Sequence, residues 1–170
     1  MKAYLILEDG TVFEGRRIGA DRDVVCEVVF NTAMAGYLEV LTDPSYAGQG
    51  VAMTYPLMGN YGINEEDAES RRPWASAFIV QSVARRASNY RSEEELDRYL
   101  SRYDIPGIAG LDTRALTRHL RTRGTMNAFA RICRFRPVPR LRAITALPAW
   151  SRWSAERKWS ISPARASASR

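Results

Sequence analysis

Lysine is nearly absent: Lys2 and Lys158 are the only two in 170 residues. A phosphate loop of the G-x-x-x-x-G-K-[S/T] type needs a lysine behind its glycines, and neither lysine stands there. No G-x-G-x-x-G occurs, so the usual dinucleotide fingerprint is missing as well. Histidine appears once, as His119, and cysteine twice, as Cys26 and Cys133. Two cysteines build no disulfide framework, and neither belongs to a C-x-x-C pair of the kind that holds structural zinc. No G-x-S-x-G elbow presents a nucleophile at the end of a strand. No apolar run approaches the ~20 residues needed to cross a bilayer. The opening MKAYLILEDG has a short apolar run, an acidic turn and no small-residue cleavage site. It reads as a strand and not as a secretory signal. These absences predict a cytoplasmic protein with no metal site, no membrane contact and no catalytic residue of its own.

What is present is ordinary for a soluble globular chain: 45% hydrophobic and 26% charged residues. The length is enough for one domain with a real core and an appendage. The net charge of +6 is unevenly spread. Residues 1–130 hold 15 Lys and Arg against 18 Asp and Glu, a net −3. Residues 131–170 hold 10 Lys and Arg against Glu156 alone, a net +9. A basic arm of this kind fits nucleic acid or a membrane surface.

Ala3–Leu7, the Asp9-Gly10 pair and Thr11–Glu14 predict a β-hairpin, because Asp-Gly favours the positive φ of a tight turn. Val24–Phe30 is dense in β-branched residues and predicts a buried strand. Met34–Leu41 predicts a short helix, stopped at Thr42-Asp43-Pro44 because the residue before proline is pushed out of the α region. Val51–Tyr55 and Ala75–Val83 predict strands, with an acidic loop at Asn64–Glu69 between them. Ser92–Tyr103 predicts a helix: Ser92 and Glu95 have capping-box spacing, and Leu96, Tyr99, Leu100 and Tyr103 share a face. Gly107–Leu111 is a short apolar segment. Asp112 caps a further helix, Thr113–Arg123, which Gly124 ends. Thr125–Ala130 predicts a last strand. Several strands with two or three helices place the fold in the α/β or α+β class.

Among candidate groups, His119 has no nucleophile or orienting partner in reach of the sequence and reads as a partly exposed helix residue. Cys26, inside VVCEVV, reads as an inert core thiol. Glu65, Glu66, Asp67 and Glu69 lack the spacing and glycine hinge of a calcium loop and read as a solvated run. Arg114, Arg118 and Arg121 share the outer side of their helix, as a solvated face or a partner surface. The LTDPSY turn stands apart. Asp43 can bond its own following backbone, Pro44 fixes φ, and Ser45 is presented on a rigid corner. A hydroxyl with free amide N–H groups there can hold a carboxylate or an amide, although Asp-Pro-Ser also serves as a plain structural turn.

Three stretches, in order, resemble the small subunit of glutamine-dependent carbamoyl phosphate synthetase. They are LEDGTVFEGRRIGA (Leu7–Ala20), FNTAMAGYLEVLTDPSYAGQGVAMTYPLMGNYGINEEDAES (Phe30–Ser70) and GIAGLDTRALTRHLRTRGTMNA (Gly107–Ala128). The resemblance implies an N-terminal α/β domain of the swivelling β/β/α type over residues 1–130. In the family a class I glutaminase domain with a Cys-His-Glu triad follows it. Ammonia released from glutamine passes to a large subunit, which uses bicarbonate, ATP and Mg2+ to make carbamoyl phosphate for arginine and pyrimidine synthesis. The resemblance implies a contact of Ser45 with L-glutamine, a large-subunit partner, and no cofactor in this chain.

After Ala130 the resemblance ends. Residues 131–170 are rich in Arg, Ala, Ser, Pro and Trp, hold three of the four tryptophans, and keep no period. This segment reads as a disordered basic tail, of the composition an out-of-frame translation of a GC-rich gene would give. The leading expectation is a truncated amidotransferase subunit, inactive alone for want of the triad. The alternative is a non-catalytic scaffold or regulatory module that binds the large subunit. A third reading uses the basic tail and its Trp150, Trp153 and Trp159 to bind single-stranded nucleic acid by phosphate contact and stacking.

Overall fold

The computed structural model describes residues 1–84 and 94–131. Along the described chain run β1 (Lys2–Leu7), β2 (Val12–Gly19), β3 (Val24–Asn31), α1 (Tyr37–Thr42), β4 (Gln49–Met53), β5 (Leu57–Met58), β6 (Ala77–Ile79), β7 (Ser82–Val83), α2 (Leu96–Arg102), β8 (Pro106–Ala109), α3 (Thr113–Arg123) and β9 (Met126–Arg131). Short 3-10 turns lie at Pro44–Tyr46 and Glu65–Asp67.

The hairpin forms where Asp9-Gly10 predicts it. Gly10 takes a φ of 91°, and the Asp9 carboxylate accepts the Thr11 N–H at 2.9 Å. That register sets Ile6 opposite Val12 and Lys2 opposite Arg16. The second arm runs five residues further than the sequence predicts, to Gly19, because β8 pairs along its far end from Arg16 to Gly19.

Seven strands close into a barrel in the order β1-β2-β8-β6-β4-β3-β9. One part is antiparallel, built from β2, β1 and β9. The other is parallel: β3 with β4, β4 with β6, and β6 with β8. One cluster gathers Leu5, Leu7, Val28, Ile79 and Ile108 with Ala3, Ala52, Ala128 and Ala130, and α3 adds Leu116 and Leu120. A small barrel must fill its interior with side chains, so small residues recur there. Gly50 is the extreme case: a Cβ on it would stand 2.6 Å from Cys26 Sγ.

The other face of the parallel strands carries a second cluster. Val51, Met53 and Phe78 pack there with Tyr37, Leu38 and Leu41 of α1 and with Leu96, Tyr99 and Leu100 of α2. Central parallel strands are therefore covered on both faces, which is why β4 and β6 read as unbroken apolar runs. The result is a sheet-dominated α/β core, as the sequence predicts.

Several boundaries differ from those predicted. The run Ala75–Val83 forms two strands: β6 joins the barrel, while β7 pairs with β5 in a separate two-stranded sheet. Helix α1 starts at Tyr37 rather than Met34, after Gly36 in the left-handed region, and Met34 is exposed. Helix α2 starts at Leu96, with Glu95 at its N-cap position, so Glu95 is not the third residue of a capping box. Ser92 lies outside the described residues. The Asp97 carboxylate in the first turn of α2 instead accepts the Gly19 N–H at 2.7 Å, tying the helix to β2. The apolar segment Gly107–Leu111 overlaps a strand, β8, which begins one residue earlier at Pro106 and ends at Ala109. Helix α3 has the predicted bounds, with the Asp112 carboxylate accepting the Ala115 N–H at 2.8 Å. Among the described residues no helix is long and apolar enough to cross a membrane. Residues 132–170, beyond Arg131 at the end of β9, lie outside the described residues.

Candidate functional site

Ser45 sits in the middle of the Pro44–Tyr46 turn and is exposed. Asp43 opens the turn: its carboxylate accepts the Ser45 N–H at 2.8 Å. The Tyr46 N–H donates to the Asp43 carbonyl at 3.1 Å, and the Ala47 N–H to the Pro44 carbonyl at 3.0 Å. The turn thus spends these three amides on itself. The sequence predicts free amide donors at this corner; the structure corrects that, because a turn this tight satisfies its own backbone. What the corner offers outward is the serine hydroxyl, a donor and an acceptor.

The corner is held on both sides. Upstream, the Thr42 hydroxyl donates to the Leu38 carbonyl at 2.8 Å and accepts the Glu69 N–H at 2.9 Å. The Ser70 hydroxyl donates to the Thr42 carbonyl at 2.6 Å and accepts the Trp74 indole N–H at 3.0 Å. Arg72 lies over the Trp74 ring at 4.1 Å. Downstream, the Asn31 side-chain amide donates to the Tyr46 hydroxyl at 3.1 Å. Thr42 is fully buried, so its hydroxyl must be satisfied within the protein, and this network does so.

Helix α1, which feeds the corner, is only six residues long and has no side-chain cap of its own. Tyr61 supplies one from the TYPLMGNYG loop. Its hydroxyl accepts the N–H groups of Gly36 at 2.6 Å and Tyr37 at 3.1 Å. In return the buried Tyr37 hydroxyl donates to the Gly62 carbonyl. The two rings stack with centroids 4.4 Å apart. Burial pushes both phenols up from their ordinary pKa, with neighbouring negative charge adding to it, so both stay protonated well above neutral pH. Sequence reading singles out the LTDPSY turn but not this reciprocal clasp, because no local spacing pairs residues 25 positions apart.

The other candidate groups fall elsewhere. Cys26 is fully buried in the barrel. His119 does find a carboxylate: its Nε2 lies 2.6 Å from Asp9 Oδ2, and Arg123 approaches the same oxygen at 3.8 Å. Burial raises the Asp9 pKa, but the Thr11 hydrogen bonds and His119 outweigh it and hold the carboxyl below its ordinary value. The pair clips α3 to the β1–β2 turn. Cys133 lies outside the described residues. The acidic loop forms its own turn, with the Asp67 N–H donating to the Asn64 carbonyl at 3.0 Å. Arg114, Arg118 and Arg121 are exposed, and they line a cleft.

A family model described as "Carbamoyl-phosphate synthase small chain, CPSase domain" matches residues 5–130. The chain is 56% identical over 127 residues to the carbamoyl phosphate synthase small chain of Streptococcus mutans serotype c, covering 75% of this chain and 35% of that one. It is 58% identical over 126 residues to the small chain of Clostridium perfringens, covering 74% and 36%. It is 54% identical over 128 residues to the pyrimidine-specific small chain of Lactiplantibacillus plantarum, covering 75% and 35%. The chain spans roughly a third of the length of the curated relatives it matches, in their N-terminal part. With three quarters of its residues aligned in this way, the chain belongs to the carbamoyl-phosphate synthase small-chain family.

Proposed function

We propose that this chain is the N-terminal wall of a cytoplasmic glutamine amidotransferase subunit and works beside a large synthetase subunit. The observation that carries this reading is the match of residues 5–130 to the family in one stretch. In this reading Ser45 contributes a hydroxyl to the glutamine substrate from outside the glutaminase centre. Ammonia from glutamine then serves carbamoyl phosphate synthesis on the large subunit, with bicarbonate, ATP and Mg2+. The held Ser45 corner supports that role, since a substrate contact needs a group whose position is fixed before the ligand arrives. The finer fold we propose is the swivelling β/β/α type, supported by an antiparallel layer, a parallel layer and the helices packed on it.

This chain alone releases no ammonia from glutamine in our reading. A thiol nucleophile must be exposed and paired with a base. Cys26 is buried among apolar groups, and His119 is engaged with Asp9. The test is to mix the full chain with the large synthetase subunit of a relative and separate the mixture by gel filtration. Co-elution is expected, with no ammonia released from glutamine by the chain alone. Separate elution, or glutamine hydrolysis by the chain alone, overturns the proposal. The scaffold alternative differs in one readout: ammonia-dependent carbamoyl phosphate synthesis by the large subunit changes when the chain binds.

A further inference from the structure

Strands β3, β4, β6 and β8 run parallel and end on the same side of the barrel. Thr32, Thr54, Gln81 and Gly110 stand just past those ends and line a cleft of about 840 Å3. Helix α3 adds Arg114, Arg118 and Arg121, with Asp112 at its N-cap. The arginines recur at i, i+4 and i+7, on one helix face. Leu116 and Leu120 belong instead to the barrel cluster, so core packing fixes how the helix presents its arginines. All three arginines are exposed. Among the described residues none of them forms an ion pair with a carboxylate, unlike Arg17, Arg22 and Arg123, which do. Arg121 lies 5.3 Å over the Phe30 ring, which steers its guanidinium. Among the described residues the only acid lining the cleft, Asp112, already accepts the Ala115 N–H. Three cations against one anion leave the cleft net positive. Like charges at i, i+4 repel each other and disfavour the bare helix.

We propose that this cleft binds a small oxyanion ligand, a di- or trianion bearing phosphate or carboxylate groups. Guanidinium forks match both groups in bidentate geometry. The Thr32 and Thr54 hydroxyls and the Gln81 amide add neutral donors beside them. The volume lies within the range of small-molecule sites. The place, beyond the carboxyl ends of parallel strands, is the one where both parallel barrels and open parallel sheets receive ligands. No residue of the Thr42–Tyr46 corner lines this cleft, and the inference does not rest on the proposed glutamine contact.

The test is titration calorimetry on the full chain at about 0.15 M salt, where exposed charges are well screened. Pyrophosphate and tricarballylate are the two probes, so the arms separate phosphate from carboxylate chemistry. One-site binding of either probe is expected. Loss of one charged contact weakens binding about tenfold or more, so Arg118→Gln must show at least that loss. Arg118→Lys keeps the charge without the fork and falls between the two. The triple change of Arg114, Arg118 and Arg121 to Gln abolishes the saturable phase. Arg22→Gln, in the connection between β2 and β3 and paired with Asp104, leaves affinity unchanged. The basic segment 131–170 is the same in every variant, so its non-specific attraction cancels in the comparison. The proposal fails if neither probe binds. It also fails if Arg118→Gln binds as tightly as the parent, or if Arg22→Gln weakens binding equally. Far-UV circular dichroism checks that each variant is folded, and Arg118→Gln decides the matter if the triple variant is not.

Discussion

Tyr61→Phe tests how the candidate corner is held. The change deletes one oxygen and keeps the ring, so the stack on Tyr37 survives. The two N–H groups that oxygen accepts, from Gly36 and Tyr37, are then left without a partner. Tyr37 is fully buried, and its amide opens a helix of six residues with no other side-chain cap. A hydrogen bond is worth about 0.5–1.5 kcal/mol net, and a buried group left unpaired costs ~1–3 kcal/mol. Two donors, one in a buried residue and one half-buried, give a loss of about 2–3 kcal/mol. With a urea slope of ~1–3 kcal/mol per molar, the midpoint falls by about 1 M. Tyr37→Phe removes the reciprocal donor to Gly62 and leaves a carbonyl unpaired, which is milder, at about 1 kcal/mol. If the two hydroxyls form one clasp, the double variant costs less than the summed singles. Hydrogen exchange adds a local readout: the Ser45 amide, bonded to Asp43, exchanges faster in Tyr61→Phe if the clasp holds the corner. A stability within ~0.5 kcal/mol of the parent, with unchanged exchange at Ser45, refutes the clasp.

Other perturbations give further outcomes. Gly50→Ala puts a methyl 2.6 Å from Cys26 Sγ in a closed interior and costs ~1–3 kcal/mol in urea unfolding. Adding Cys26→Ala recovers part of that loss, and no recovery means the strain lies elsewhere. Asp9 has a folded pKa below its unfolded value of ~3.9, so its contribution is present above that pH and fades as pH falls through the folded value. Asp9→Asn therefore lowers stability near neutral pH and flattens the acid limb of the stability curve, and an unchanged limb argues against the assignment. Asp43→Ala frees the Ser45 N–H and costs about 1 kcal/mol, read by thermal unfolding and by faster exchange at Ser45.

Local chemistry made much of the fold legible. Asp112 and Gly124 bracket α3 because a cap and a stop each act within one turn, and the Asp9-Gly10 hairpin is equally local. The errors occur where distant pairing decides. Val80 donates to the Ile108 carbonyl and Gly110 to the Gln81 carbonyl, so β8 sets where β6 ends. No pattern within Ala75–Val83 reveals that. Barrel closure depends on Leu5 facing Ala130, residues from opposite ends of the described chain. At the corner, sequence marks Ser45 and Asp43 through turn chemistry. The amides of the same turn are misjudged, because only the folded turn shows where each N–H goes. The arginine stripe is visible as a period, but its setting at four strand ends is not.

The self-satisfied amides bear directly on the proposed glutamine contact. A corner with free N–H groups would hold a carboxylate through several bonds at once. This one presents a hydroxyl, and a single hydrogen bond yields about 0.5–1.5 kcal/mol net. Capturing a free ligand costs an estimated ~4 kcal/mol or more in lost translational and rotational freedom. The corner alone falls short by several kcal/mol, so the full chain shows no saturable heat with millimolar glutamine in calorimetry. Micromolar binding would mean that other groups on this chain complete the site, and Ser45→Ala would then decide whether the corner belongs to it. A rigid single hydroxyl is of use only beside a second wall that carries the main affinity. The rigidity of the Thr42–Tyr46 corner follows from that: a group contributing one bond helps only if it is already in place when the rest of the site is occupied.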